Sequence, residues 1–440
     1  MKSKVQCSSI SRAALALAAV LLISVAVVPW AQGQTDDSSD GKPIYKVLHR
    51  FAQDKGGVGL LGVIRDAEGN IYGTTQFGGD PKCQPDYKAE GCGVVFKLDA
   101  MGKETVLHAF TGKRDGGVPV AGVIRDEAGN LYGTTSNGGD PNCFYGFGCG
   151  VVFKLDPAGK ETVLHTFTGA ADDGSNPSPV IRDQEGNLYG AANGGPTAYG
   201  FVFKLNPGTG DLTVLYPFTG GTDGGYPGGE LIRDAAGNLY GAAGTGGDLS
   251  CDSTNDPPGC GVVFKLDPAG KETVLYTFTG GKDGSGPSPG LVRDAEGNLY
   301  GTAVGGSNLD CFPQEYPPGC GLVFKLNRSG KFTLLYTFTG GADGAYPAGL
   351  IRDEAGNLYG TTVAGGYRKC KGYPDGFGVV FKLDTIGKET VLHTFGEGMD
   401  GGIPEAGVIR DKAGNLYGTT YEGGCNPSSS GVVFKLTPSN

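Results

Sequence analysis

The chain reads as short apolar runs separated by glycine-centred turns. One unit, from Ala348, runs AGLIRDEAGNLYGTT, then a loop, then GVVFKLDTIGKETVLHTF. It holds four β-rich runs, GLIRD, NLYGTT, GVVFKL and ETVLHTF, here named a, b, c and d. Each has ordinary strand length. No stretch sustains a helical period, so the pattern predicts an all-β protein. The motif VFKL recurs with its Phe at 96, 153, 203, 264, 324, 381 and 434. GN(L/I)YG recurs with its Asn at 70, 130, 187, 238, 298, 357 and 415. The spacing between the Phe residues runs from 50 to 61, which marks a repeat with one variable loop.

Two tight connections share one chemistry. DEAGN lies between a and b; DPAGK and its variants DAMGK, NRSGK and DTIGK lie between c and d. Asp or Asn opens each turn, and a Gly three residues later supplies the positive φ of a glycine bulge. Runs a–b and c–d are therefore hairpins, and each unit is a four-stranded antiparallel meander. Runs c and d are apolar on both faces, so each sheet needs a neighbour on both sides. Repeated sheets of that kind are the blades of a β-propeller; an open β-solenoid is the alternative, and it would need capping ends.

The two ends of the chain decide between these. The last unit stops at GVVFKLTPSN and lacks strand d, while DGKPIYKVLHRF at 40–51 matches GKETVLHTF. The N-terminal strand is expected to complete the last blade beside 431–436, closing the ring and removing both bare sheet edges. The expectation is a seven-bladed β-propeller of 28 strands over 44–436, with a linker at 34–43 and a tail at 437–440.

Residues 1–33 read as a secretory signal peptide. Lys2, Lys4 and Arg12 precede an apolar run from Ala13 to Val28, and AQG at 31–33 suits cleavage before Gln34. A retained anchor is the alternative. Removing those three cations takes the net charge from −10 to −13, which argues against nucleic acid and anionic membrane surfaces as partners. A secreted monomer, extracellular or periplasmic and without a membrane span after cleavage, is expected. The 82 glycines have no collagen period and serve the turns.

Ten cysteines follow the leader, all in the loops between b and c. Four loops hold a pair: Cys83/Cys92, Cys143/Cys149, Cys251/Cys260 and Cys311/Cys320. Disulfides are expected there. Cys370 and Cys425 stand singly in consecutive blades, where a bond across the blade boundary is a candidate. Metal binding is the rival reading, but no His lies in these loops and the spacing is not C-x₂-C.

In a propeller, strand a lies nearest the axis and d at the rim, so loops b–c and d–a share one face. The b–c loops vary in length and content, and function concentrates on variable loops held by a rigid scaffold. Their aromatics are Tyr87, Phe144, Tyr145, Tyr199, Phe312, Tyr316, Tyr367, Tyr373 and Tyr421; their acids include Asp86, Glu90, Asp252, Asp256, Asp310, Glu315, Asp375 and Glu422. Aromatic faces beside carboxylates suit a glycan or a peptide. The plainer reading packs these aromatics within their own loops. The expected ligand-binding set is Tyr87, Tyr145, Tyr199, Tyr316, Tyr367, Tyr373 and Tyr421 with Asp256 and Glu315.

The d–a turns repeat DGxxP at Asp115, Asp173, Asp223, Asp283, Asp343 and Asp400. A ring of acids is a Ca²⁺ candidate; an Asp-Gly turn between blades is the simpler reading, and no cofactor or metal is expected. Arg65, Arg125, Arg182, Arg233, Arg293, Arg352 and Arg410 recur in every blade, which points to bracing. His49, His108, His165 and His393 share one rim position in strand d, held elsewhere by Tyr216, Tyr276 and Tyr336. No histidine is thus placed for base or metal chemistry near the axis, and no catalytic residue is assigned. Paired carboxylates remain open, with Asp256 and Glu315 one guess.

The run GNLYGTT…GG…GVVFKL…GKETVLHTFTG…DG…P resembles the GloVer-type tandem repeat of secreted bacterial choice-of-anchor proteins, over about 44–436. The resemblance implies export and often a C-terminal surface anchor, which TPSN does not supply, and it carries no activity or site residues. GNLYG alone is similar to secreted NHL and streptogramin-lyase propellers. Three functions stay open: a binding or scaffold propeller with a glycan or peptide ligand, a carboxylate-based hydrolase or lyase on an extracellular polysaccharide, and a purely structural envelope protein.

Overall fold

A computed structural model describes residues 42–51, 58–83, 91–251, 256–288, 290–306, 308, 311, 319–366, 375–396, 398–425 and 430–438, all within one compact unit, 35–440. Their strands form seven antiparallel sheets, the blades of a seven-bladed β-propeller. Blade 1 shows the plan: a Val58–Arg65, b Ile71–Phe77, c Val94–Leu98 and d Glu104–Ala109, paired in that order. Blade 7 takes its fourth strand from the other end of the chain. Ile44–Arg50 pairs antiparallel with Val432–Thr437, and Lys46 stands opposite Lys435.

Strand a departs from the expected single run. In blades 2 and 5 it is two pieces, Gly117–Pro119 with Ile124–Arg125, and Ser285–Pro287 with Val292–Arg293. In blade 4 its register shifts between Gly228 and Ile232. The proline carries no N–H for the ladder. The residue before it is left-handed in Val118, Asn176, Tyr226, Tyr346 and Ile403, with φ between 48 and 56°. Its N–H turns instead to the preceding blade: Val118 donates to the Cys92 carbonyl (2.8 Å) and Ile403 to that of Phe377 (2.9 Å). An inter-blade hydrogen bond thus replaces a ladder bond.

The core is a belt of aromatic pairs. Each VFKL Phe is fully buried and meets, edge to face, the Phe that ends strand d of the preceding blade. Phe110 lies 5.2 Å from Phe153, and Phe218 lies 5.0 Å from Phe264. Phe51, supplied by the N-terminal strand, meets Phe96 at 4.9 Å and carries the belt through the closure. The last Gly of GNLYG has its reason here. A Cβ on Gly133 would stand 2.6 Å from the Phe153 ring, and one on Gly418 would stand 2.5 Å from Phe434.

Candidate functional site

The face of the a–b and c–d turns repeats blade by blade. In each a–b turn the Asp side chain closes the turn on Asn: Asp126 accepts the Asn130 backbone N–H and side-chain amide, both at 2.8 Å, and the Tyr132 hydroxyl at 3.0 Å. Burial pushes the Asp126 carboxyl up, but the Asn130 and Tyr132 hydrogen bonds and the Arg182 charge outweigh it and hold the carboxyl below the ordinary range. Tyr132 is flanked by Lys154 of its own blade (5.9 Å) and Arg182 of the next (6.0 Å). The same arrangement closes the ring, with Arg65 of blade 1 over Tyr417 of blade 7 at 5.2 Å. The seven arginines tie blade to blade. A seven-fold pattern offers no asymmetric group to a ligand.

On the opposite face, the d–a aspartates are committed to their own turns. Asp115 accepts the Thr111 N–H (2.8 Å) and hydroxyl (2.5 Å), and Asp223, Asp283 and Asp343 repeat both bonds with Thr219, Thr279 and Thr339. The rim residue of strand d completes each site. His165 Nε2 stands 2.6 Å from Asp173, His393 Nε2 stands 3.0 Å from Asp400, and the Tyr216, Tyr276 and Tyr336 hydroxyls donate to their aspartates at 3.0–3.1 Å. His49, whose following turn lacks this Asp, lies 3.3 Å from Glu104 of blade 1. Each rim histidine therefore has a carboxylate partner, and among the described residues no three His, Cys, Asp or Glu side chains gather as metal ligands.

The b–c loops carry the asymmetry. Cys83–Cys92, Cys143–Cys149, Cys251–Cys260 and Cys311–Cys320 are disulfides. Cys425 is also disulfide-bonded, and Cys370 lies outside the described residues. Three of these disulfides sit under a glycine of the next d–a turn: a Cβ on Gly112, Gly169 or Gly280 would stand 2.4–2.6 Å from a cystine sulfur. In blades 3 and 6 the residue at this point is Tyr199 or Phe377, and its ring fills the place, joined at Gly396 by the disulfide-bonded Cys425, whose Sγ stands 2.6 Å from the Gly396 carbonyl. The Tyr199 ring lies 2.8 Å from a Cβ built on Gly220, and the Phe377 ring lies 2.7 Å from one built on Gly396.

This explains where Tyr199 goes. Its ring plugs the blade 3–4 boundary and its hydroxyl stands 3.5 Å from Asp256. Tyr226, which the sequence reading passed over as part of a d–a turn, joins them with its ring 6.2 Å from Tyr199. Burial, then Asp256 and Tyr199, push the Tyr226 hydroxyl pKa up. Tyr421 packs elsewhere, its ring edge 2.7 Å from a Cβ built on Gly59 of blade 1. Beside it in sequence, Glu422 acts on Glu405, whose carboxyl is pushed up by burial first and by the Glu422 charge second. Tyr145, at 96% exposure, touches neither group. Tyr87, Tyr316, Tyr367, Tyr373 and Glu315 lie outside the described residues.

The described cleft of about 660 Å³ lies between the d–a turn that enters blade 2 and the b–c loop of that blade. Thr111, Lys113, Arg114 and Asp115 form one wall; Asp140, Pro141, Gly146 and Gly148 form the other. The second wall includes Gly146 of a 3₁₀ turn, Phe144–Gly146, in the loop closed by the Cys143–Cys149 bond. Phe144, Tyr145 and Phe147 on this turn are 69, 96 and 37% exposed. Lys113 and Arg114 were missed by the sequence reading, although KRDGG is the one DGxxP turn with two adjacent cations.

In fold, the chain is similar to an oligogalacturonate lyase from Vibrio parahaemolyticus (TM-score 0.54, 11% identity, 92% of this chain and 96% of that one). It is also similar to the extracellular domain of a putative hybrid two-component system from B. thetaiotaomicron (0.52, 12%, 90% of this chain and 41% of that one). An oligogalacturonate lyase in complex with manganese has a TM-score of 0.50 at 12% identity, over 88% of this chain and 98% of that one. At such identities the likeness is one of fold. No curated protein matches the chain in sequence. The model of the Gloeobacter/Verrucomicrobia repeat matches residues 84–312, 145–370 and 311–440 in overlapping stretches. The recurring apolar runs and turn glycines are thus one family's repeat, and the chain belongs to the Gloeobacter/Verrucomicrobia repeat family.

Proposed function

We propose that this propeller is an exported binding protein that holds a carbohydrate on its b–c/d–a face, in the cleft of blade 2. One observation carries the reading: three aromatic side chains stand exposed on a disulfide-closed turn beside a cleft. Exposed rings cost hydration unless something covers them, and flat sugar faces stack well on such rings. A rigid turn loses little freedom on binding. Four disulfides fit an oxidising compartment, and the leader-like residues 1–33 fit export.

A glycan array probed with the full chain and with Tyr145→Ala tests this. Binding by the parent and its loss in the variant are expected, with the melting temperature unchanged because the side chain is exposed. No binding by the parent would overturn the proposal. Depolymerisation of a bound polysaccharide, abolished in Glu405→Gln, would instead favour a carboxylate-based enzyme built on Glu405 and Glu422.

A further inference from the structure

We infer that the sugar taken by the blade 2 cleft is acidic: a uronate-containing oligosaccharide whose carboxylates meet Lys113 and Arg114. This rests on the carbohydrate reading above and adds the charge of the ligand to it.

The first ground is electrostatic. Lys113 and Arg114 are exposed side by side on the cleft wall. Neither takes part in an ion pair among the described residues. The acids near them keep their charge, but their oxygens are turned to other groups. Asp115 is held by Thr111 and lies 3.4 Å from His108. Asp140 accepts the Asn142 N–H and side-chain amide at 2.9 and 3.0 Å. Asp115 and Asp140 balance the two cations in formal charge, but their oxygens are turned to these partners, whereas the Lys113 and Arg114 heads are left to meet an incoming anion. A neutral sugar would give neither head an anionic partner. A carboxylate gives them charge-assisted hydrogen bonds, bidentate in the case of Arg.

The second ground is shape. Gly112, Gly138, Gly139, Gly146 and Gly148 line much of the cleft, so it presents a bed of backbone without side-chain pockets. An extended peptide is ordinarily captured on a bare sheet edge or by pockets for alternate side chains. A cleft of about 660 Å³, one of whose lining residues, Gly146, directly follows the exposed Phe144 and Tyr145, suits a few sugar rings.

The third ground is the backbone. Phe144 and Tyr145 are both left-handed, at φ 44 and 56°, which costs a bulky residue energy. The Cys143–Cys149 bond holds them there, with hydrogen bonds from Gly146 N–H and Gly148 N–H to the Cys143 carbonyl at 3.0 and 3.2 Å. The other described b–c loops expose no comparable aromatic run.

Calorimetry on the full chain tests the inference, with three probes. They are an alginate oligosaccharide, the same oligosaccharide with its carboxylates reduced to alcohols, and polyglutamate. Alginate is expected to bind and the other two to bind weakly or not at all. Lys113→Ala/Arg114→Ala should weaken alginate about tenfold to a hundredfold, the worth of one charged hydrogen bond. Lys282→Ala, an exposed cation in the corresponding turn before blade 5, should leave binding unchanged. Thermal melts of both variants should match the parent. Equal binding of the reduced sugar, with the double variant silent and Tyr145→Ala still weakened, would overturn the acidic ligand and leave the carbohydrate reading standing. Equal binding of polyglutamate would overturn it as well, because the cleft would then select charge and not sugar. If neither sugar binds while the glycan array registers a neutral glycan, the acidic ligand falls alone; if the array is blank as well, both readings fall.

Discussion

Glu161, Glu272 and Glu389 open strand d in blades 2, 4 and 6, each against the rim of the preceding blade. Burial pushes the Glu161 carboxyl up; His108 pulls it down and Asp115 pushes it up again, leaving it at about 7. Burial, then Asp223, takes Glu272 to about 7, and burial, then Asp343, takes Glu389 to about 7. Blade 5 has Phe332 at this position, stacked on Tyr276 at 4.8 Å, so nothing titrates there. A folded-state pKa above the ordinary 4.5 means that the fold favours the protonated form. The contribution to stability is full below that ordinary value and is lost as pH rises through about 7. Glu272→Gln/Glu389→Gln keeps the neutral form at every pH. Its melting temperature should exceed that of the parent at about pH 8 and converge on it near pH 4. The a–b turn aspartates act in the other direction. Burial raises Asp126 and its hydrogen bonds lower it further, so its contribution is present above the ordinary 3.8 and is lost as pH falls. The repeat thus titrates in two separate pH windows. A parent and double variant with parallel melting curves between about pH 5 and 8 would remove the rim carboxylates from this account.

At the scale of the element, the b–c loop is pinned to the next blade by one position, the residue before the Gly of GVVFKL. It is Cys92, Cys149, Cys260 and Cys320 in four blades, Tyr199 in blade 3 and Phe377 in blade 6. The carbonyl of that residue accepts the left-handed N–H of the next strand a, as Tyr199 does from Tyr226 at 2.8 Å and Cys320 from Tyr346 at 3.0 Å. A cystine and a buried ring are therefore two solutions to one packing problem, and they should fail differently. Phe377 is fully buried, so Phe377→Ala should cost about 3–5 kcal/mol by urea unfolding. Cys143→Ala/Cys149→Ala should cost about 2–3 kcal/mol, the entropy of a short closed loop. It should also speed proteolysis within 143–149, whereas Phe377→Ala should not. What the sequence made legible at this scale is the chemistry that repeats: the turn Asp and Gly, the paired cysteines and the aromatic content of the loops. Val118 and Ile403 were illegible as left-handed residues, because β-branched side chains disfavour that region and only the carbonyl of the neighbouring blade compensates. Tyr199 was legible as a loop aromatic and not as a plug, since the glycine it covers lies in the next d–a turn. Lys113 and Arg114 escaped because the d–a turns were read as copies of one another, and their difference is what lines the cleft.

For the whole molecule, the ring depends on one strand that arrives from the far end of the sequence. Ile44–Arg50 pairs with Val432–Thr437, and the Phe51 N–H donates to the Gly431 carbonyl at 3.2 Å. The strand reaches three blades at once. Tyr45 stacks on His393 of blade 6 at 3.7 Å and donates to the Asp400 carbonyl at 2.5 Å. Val47 stands opposite Phe434 of blade 7, and Phe51 meets Phe96 of blade 1 at 4.9 Å. Without it, Val432–Thr437 becomes an edge with unpaired N–H and C=O groups, and the aromatic belt is cut between blades 7 and 1. Solenoid-like stacks tolerate such loss repeat by repeat, because their stability sums over neighbouring units. A closed ring does not, because the gap opens two blade interfaces together. A chain that begins at residue 52 is therefore expected to lose its single cooperative unfolding transition and to associate through the bare edge, as read by calorimetry and light scattering. Adding residues 42–51 as a free peptide should restore both, since register and side-chain contacts are local to that strand. Phe51→Ala in the intact chain should cost about 3–5 kcal/mol while keeping one transition. A truncated chain that melts at the parent temperature without the peptide would mean that the blades hold together pairwise, and that strand closure adds nothing to the ring.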